Sequence, residues 1–336
     1  MNNQITTRES LRFMAHGYYF SCALFAAVRL GIADALALHP RTAADLAAQI
    51  RTHPDTTARL LRLLASVGIC EEDADHRFGL TEVGQNLRSD HPASMCREIS
   101  MFSGGETYEA WGNVVEAVKT GKSAFELLHD RSLFSYLSEH PEPAERFHKG
   151  WEEITAQVAL QTAELYDFSG VSTLTDVGGG YGIFLGTLLQ QQKGLKGVLF
   201  DLPFSVEGAP ATLQKFGVSE RVVVLTGNAE NSVPPMEMVL LKSVIHVCSS
   251  EQAQRILSNC AAALPVNGKA LVLERIVPPG NTFHWSKLVD MTMAVMTGGR
   301  ERTVEDYVAL YERSGMRLTR TIELPSGFSI IEGTKV

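Results

Sequence analysis

Over residues 11–38 apolar side chains recur at helical spacing, Phe13, Tyr18, Phe20, Leu24, Val28, Leu30 and Ile32 among them. They are too many for one stripe against one core, so the pattern predicts N-terminal helices with apolar surface left over for a partner chain. Thr42 ahead of AADLA predicts a short capped helix, and TTARLLRLLASV over 56–67 a second one that Gly68 stops. Residues 69–80 read as a polar-tipped hairpin, which gives 40–90 the outline of a winged helix. Helical spacing continues over 95–168, with loops at 120–123 (TGKS) and 140–143 (HPEP).

From Gly170 onward the period changes. Short continuous apolar runs at 174–177, 197–200, 222–225, 238–241 and 270–273 alternate with helical segments. That alternation predicts a parallel, doubly wound α/β sheet buried on both faces. The expected organisation is a helical N-terminal domain over 1–100, a helical linker over 101–168 and the sheet domain over 169–336.

A length of 336 residues with 45% hydrophobic content accommodates one large and one smaller core. The formal net charge of -8 offers no general attraction to nucleic acid or anionic lipid. Residues 41–67 carry four Arg against two Asp, and their second helix is rich in leucine rather than in base-reading side chains, which disfavours a DNA-binding regulator. Five cysteines, with no CxxC pair, fit neither a disulfide framework nor a zinc knuckle. The start Met1-Asn2-Asn3-Gln4 lacks a basic, apolar leader, and no apolar run approaches about 18 residues. A soluble cytoplasmic chain, with no metal and no membrane partner, is expected.

The first run of the sheet domain ends Asp176-Val177-Gly178-Gly179-Gly180-Tyr181-Gly182 and leads into a helix. Glycines at such a turn let a ligand approach the backbone closely. Asp201 ends the next run, 23 residues after Gly178, where a carboxylate can accept hydrogen bonds from ribose hydroxyls. The G-x-G-x-G spacing is shorter than the loop that holds a pyrophosphate, which favours S-adenosylmethionine over a dinucleotide.

In order, DVGGGYG, FDLP, LLKSVIH, NGKALVLE and TGGRERT resemble the homodimeric small-molecule O-methyltransferases that include plant caffeate and flavonoid enzymes and bacterial phenazine and polyketide enzymes. The resemblance covers nearly the whole chain. It implies a Rossmann-like domain with a seventh, antiparallel strand, in agreement with the hairpin-like tail at 318–324 and 329–332, and a dimer whose N-terminal helices interlock. It also implies a cofactor site of Asp176, Gly178, Gly180, Asp201, Leu202, Asn228, Ala229 and Lys242, with Lys242 by the adenine. His246 falls on the family's general base, and Glu274 and Glu301 on the acidic residues that flank it. Met101, Phe102, Trp151, Thr292 and Met296 fall where the acceptor is lined, and thioether and aromatic groups suit a flat apolar ring. Two motifs depart from the family: Gly227-Asn228-Ala229 replaces Gly-Asp-Met, and His246-Val247-Cys248 replaces His-Asp-Trp.

The chemistry needs an acceptor oxygen aligned with the sulfonium methyl and relieved of its proton. A carboxylate on the second ring nitrogen of His246 would fix its tautomer, and either Glu301 or Glu274 could supply it. The structural alternatives are that His246 caps a helix near Ser249 or Ser250, that Glu274 only ends a strand, and that Glu301 pairs with an arginine. A cofactor-binding enzyme of another activity, such as a hydroxylase, decarboxylase or cyclisation catalyst, is the competing function.

Overall fold

The computed structural model describes residues 7–336; the Met1-Asn2-Asn3-Gln4 start discussed above lies outside them. The chain divides into two compact units, Met1–Glu109 with Glu145–Trp151, and Ala110–Ala144 with Glu152–Val336. The segment 101–168 is thus shared between the two.

In the first unit the helical pattern over 11–38 resolves into Arg8–Ala15, Gly17–Arg29 and Ile32–Leu36. His16 ends the first helix, and Gly31 breaks the chain before the third by taking a left-handed φ of 65°. The middle helix buries only Ala23 and Ala27, while Leu11, Phe13, Met14, Tyr18 and Tyr19 stay exposed. Ala23 and Ala27, with Leu24, Phe25 and Val28 partly buried beside them, face this unit's own core, and the large side chains named above face outward. Thr42 caps Ala43–Ile50 by accepting the Asp45 N–H, and Gly68 follows the end of Pro54–Ser66 with φ of 81°. Strands β1 (Arg41–Thr42), β2 (Cys70–Glu72) and β3 (Arg77–Leu80) form an antiparallel sheet in the order β1-β3-β2. Ile32, Leu36, Leu46, Leu61, Leu64 and Phe78 pack together as its core.

The second unit is built on seven strands: β4 (Thr173–Val177), β5 (Lys196–Asp201), β6 (Val222–Thr226), β7 (Met238–Lys242), β8 (Lys269–Glu274), β9 (Met316–Glu323) and β10 (Ser329–Lys335). Their order is β6-β5-β4-β7-β8-β10-β9. The first five run parallel, and β10 lies antiparallel between β8 and β9. Successive residues of β7 face opposite sides, as the period of two requires. Leu240 joins Leu174, Leu185, Leu188 and Leu271 in one core, whereas Val239 and Leu241 join Val272, Tyr307 and Tyr311 in the other. The chain leaves β4 toward β5 and β6, then returns to β7 on the other side. In open α/β sheets this reversal opens a crevice at the carboxyl ends of the central strands, and ligands bind there.

Two expectations change. The run at 222–225 forms an edge strand, so it is not covered on both faces, and Val223 is 57% exposed. The loop expected at 140–143 is the first turn of a 25-residue helix, Pro141–Leu165. Prolines are tolerated there because first-turn N–H groups have no helical acceptor to lose. No described helix is long and apolar enough to cross a membrane.

Candidate active site

Between β4 and the helix Ile183–Gln191, Gly178, Gly180 and Gly182 adopt φ of 77°, 55° and 76°. A Cβ on Gly178 would stand 2.4 Å from a Val244 methyl, so both space and backbone angle demand glycine. Asp201 reaches into this turn from the end of β5. Its Oδ2 accepts the Gly180 N–H at 2.8 Å, and its Oδ1 accepts the Leu202 N–H at 2.6 Å. Each oxygen has a second lone pair, with the Ser205 hydroxyl also near enough to favour the charged carboxylate. Burial raises the Asp201 carboxyl even against these backbone donors.

Asp176, within β4, is 1% exposed, and its Oδ2 has no hydrogen-bond partner among the described residues. Burial first, and the Asp201 charge second, push it up to about 7. The turn therefore presents open backbone, the second lone pairs of Asp201 and an unmet buried carboxyl oxygen. This donor and acceptor set fits an adenosyl group with a ribose diol and a cationic amino-acid end.

Asn228 turns its Oδ1 back onto the Glu230 N–H at 2.8 Å. Ala229 packs against the core below, with its carbonyl taken by Asn259. Lys242, at the end of β7, donates to the Thr155 hydroxyl at 3.0 Å and lies 5.5 Å from the Phe328 ring centre. Burial, aided by Arg275 and opposed by Asp176 and Glu274, lowers Lys242 to about 7.

His246 follows β7 at the same carboxyl edge, 2% exposed. Its Nδ1 lies 2.6 Å from Glu301 Oε1, and its backbone N–H donates to Glu274 Oε1 at 2.8 Å. The Tyr307 hydroxyl donates to the other oxygen of Glu274. The two acidic residues thus have different tasks: Glu301 meets the ring and Glu274 the main chain. Burial works against the imidazolium, but the charge and hydrogen bond of Glu301, with Glu274 behind, outweigh it and raise His246. Burial also raises Glu274, against its hydrogen bonds from Tyr307 and the His246 N–H. The cap of the helix Ser250–Ala263 is Ser249, in a reciprocal box with Gln252, so His246 does not serve there. Nor, among the described residues, does Glu301 pair with an arginine; Arg302 donates instead to the Ile245 carbonyl.

The residues expected to line an acceptor fall in both units. In the first, Met101 packs against Gly150, where an added Cβ would come within 2.6 Å of its sulfur, and Phe102 meets Trp151 edge to face at 5.7 Å. In the second, Thr292 and Met296 lie on the helix Trp285–Met296, and the Thr292 hydroxyl donates to the Leu288 carbonyl of its own helix. Val247 and Cys248, which replace the family's Asp and Trp, pack with the core around Ile245.

A sheet of this order, with a glycine turn and an acidic strand end at its switch point, defines a Rossmann-like nucleoside-binding methyltransferase fold. A model of the O-methyltransferase domain matches residues 111–317, a model of the O-methyltransferase dimerisation domain matches 13–90, and the chain belongs to this O-methyltransferase family. It is 35% identical to a phenazine O-methyltransferase of Lysobacter antibioticus over 96% of this chain and 95% of that one. It is 36% identical to an O-demethylpuromycin-O-methyltransferase of Streptomyces alboniger over 99% of this chain and 90% of that one. Among solved structures it resembles a methyltransferase of calicheamicin biosynthesis in its S-adenosylhomocysteine-bound form, with a TM-score of 0.84, 35% identity and coverage of 99% of this chain and 100% of that one. S-adenosylmethionine is accordingly the methyl donor.

Sequence reasoning did not single out Tyr307, Asp290, Arg302 or Thr155. Each acts through the fold: Tyr307 holds Glu274, Asp290 Oδ1 accepts the Glu301 N–H at 2.8 Å, and Thr155 holds Lys242. Arg302 alone carried a signal, since it stands inside the TGGRERT motif.

Proposed function

We propose that the protein methylates a hydroxyl of a small planar aromatic acceptor with His246 as general base. The observation that carries this reading is the 2.6 Å contact between His246 Nδ1 and Glu301. With Glu301 ionised, Nδ1 carries the hydrogen and the Nε2 lone pair is the acceptor. Among the described residues Nε2 has no hydrogen-bond partner, so it is available to an acceptor hydroxyl.

S-adenosylmethionine supplies a methyl group on a sulfonium, electrophilic without further activation. His246 takes the acceptor proton onto Nε2 as the oxygen attacks, and Glu301 stabilises the resulting imidazolium through Nδ1. A free phenol near pKa 10 and an imidazole near 6.5 are mismatched by roughly 3.5 units. A raised His246 narrows that gap. Gly178 and the neighbouring backbone, Asp176 and Asp201 hold the donor, with Lys242 and Asn228 beside it. Thr292 and Met296 are the residues of the second unit proposed to meet the acceptor ring, and Met101, Phe102 and Trp151 of the first unit are carried over from the family's pattern as acceptor-contacting positions. The phenazine and demethylpuromycin acceptors named for its relatives support an aromatic hydroxyl in antibiotic or other secondary metabolism. The dimerisation domain and the outward Leu11, Phe13, Met14, Tyr18 and Tyr19 support a homodimer joined through the N-terminal helices.

The test is to incubate the purified protein with S-adenosylmethionine and a panel of phenolic and hydroxyphenazine acceptors, reading methylated product and S-adenosylhomocysteine together. His246→Gln run beside it is expected to keep donor binding and lose turnover. Turnover with a product that carries no new methyl group would transfer the site to another chemistry.

A further inference from the structure

We propose that Arg302, with Gly299, is a positioning device for the base: the 299–302 loop clips onto the main chain around His246 and thereby fixes Glu301 on the imidazole. The inference rests on the general-base reading of His246. Both polar groups of the peptide bond preceding His246 are held by buried charged side chains. Its carbonyl, that of Ile245, accepts from Arg302 Nη1 at 2.9 Å, and its N–H donates to Glu274 Oε1 at 2.8 Å. The next carbonyl, that of His246 itself, accepts the Arg300 N–H at 2.8 Å. Three consecutive residues of the loop thus grip one histidine: Arg300 by its main chain, Glu301 by its carboxylate on the ring, and Arg302 by its guanidinium on the carbonyl just ahead.

The fit depends on Gly299. A Cβ there would stand 2.1 Å from the His246 carbonyl oxygen and 2.6 Å from the Val247 carbonyl carbon, both main-chain atoms that cannot turn aside. The far side of the loop is tied down as well. Asp290, on the helix Trp285–Met296, accepts the Glu301 N–H at 2.8 Å, and the Arg302 carbonyl accepts the Val277 N–H at 2.9 Å. Arg302 is 3% exposed, and the same Nη1 also meets the Arg300 carbonyl at 3.3 Å, so one nitrogen joins the loop to the chain it clips. Among the described residues no carboxylate bonds to Arg302, its Nη2 has no partner, and Nη1 alone serves the two carbonyls, which gives this buried arginine a geometric task. A base works only when held within a few tenths of an ångström of its line of attack. The clip sets that line from the main chain outward.

The experiment compares Arg302→Met, Arg302→Lys and Gly299→Ala with wild type and His246→Gln. It reads kcat across pH, KM for both substrates, donor affinity by calorimetry and the melting temperature. Arg302→Met is expected to lower kcat about tenfold or more with donor affinity unchanged, and to move the acid limb of kcat as Glu301 leaves the ring. Arg302→Lys should recover part of the loss, and Gly299→Ala should reproduce it. Adding Arg302→Met to Glu301→Gln should cost little beyond Glu301→Gln alone, because the arginine acts through the glutamate. If Arg302→Met melts without a cooperative transition, Gly299→Ala decides. Wild-type kcat and pH limb in the folded variants, with His246→Gln inactive, overturn the clip and leave the base reading standing. An active His246→Gln overturns the base reading and the clip with it.

Discussion

The glycine turn and the His246 neighbourhood lie at the same edge of one sheet, yet they use their hydrogen-bonding groups in opposite ways. At the turn, the Asp201 oxygens keep second lone pairs, and Asp176 buries an oxygen that nothing described reaches. Around His246 the two main-chain carbonyls, the N–H and Nδ1 are all engaged. A site that binds must leave valence for its ligand. The proposed base needs one ring nitrogen fixed and the other open, and among the described residues His246 Nε2 has no hydrogen-bond partner, while Glu301 Oε2 and Arg302 Nη2 are the other open atoms of this neighbourhood.

The largest effect expected from breaking this contrast is at its open atom. His246→Gln removes the proposed base while keeping an amide of similar reach, and on that proposal kcat should fall by about 10²- to 10⁴-fold. Donor affinity, measured by calorimetry, should hold within a few-fold; a comparable loss of donor affinity would mean that His246 belongs to the binding half. Asp201→Ala attacks that half instead. It removes the two acceptors proposed for the ribose and the brace on the Gly180 N–H, so on that proposal donor affinity should drop on the order of 10- to 100-fold. Unchanged calorimetric affinity would move the ribose elsewhere.

A smaller change sharpens the engaged side. Glu301→Gln keeps an acceptor for Nδ1 but deletes the charge that helps raise His246, so kcat should fall by roughly tenfold. The proposed base works when neutral, so on that proposal a raised His246 places the acid limb of kcat at higher pH. In Glu301→Gln that limb should therefore move to lower pH. A limb that stays in place, traced by kcat at saturating substrates across pH 5–9, would assign it to a group other than this pair.

Much of this was legible in the sequence, and the reasons differ by region. The strand runs, the glycine turn and Asp201 declare themselves because each obeys a local rule of period or backbone angle. The edge exposure of β6 did not, since apolar content does not reveal strand order. The helix start at Pro141 was hidden because proline signals a loop and a first turn equally well. For Glu274 and Glu301 the sequence left either as the ring's partner. Only the folded register separates them, because they belong to elements far apart in the chain. Asp290 and Tyr307 left no trace, since both act through other side chains or peptide groups.

The smallest expected effect tests what the open side costs the fold. Asp176 is raised from an ordinary value near 4 to about 7, chiefly by burial and then by Asp201. A carboxyl raised in the folded state binds more protons than in the unfolded chain, so stability is lost as pH climbs from about 4 toward 7, and the whole penalty is present above that. Asp176→Asn removes this penalty, from which the attraction to Lys242 is already subtracted. The net result should be about 1–2 kcal/mol at pH 8, or roughly 2–6 °C in melting temperature, and close to nothing at pH 4. Thermal melts of the donor-free protein at the two pH values check this, and an equal shift at both would show that charge burial is not the cause. If Asp176 holds the cationic end of the donor, as proposed, the advantage should shrink or reverse with saturating S-adenosylmethionine. Reversal would identify Asp176 as a group held unsatisfied for its ligand, in the half of the site built to stay open.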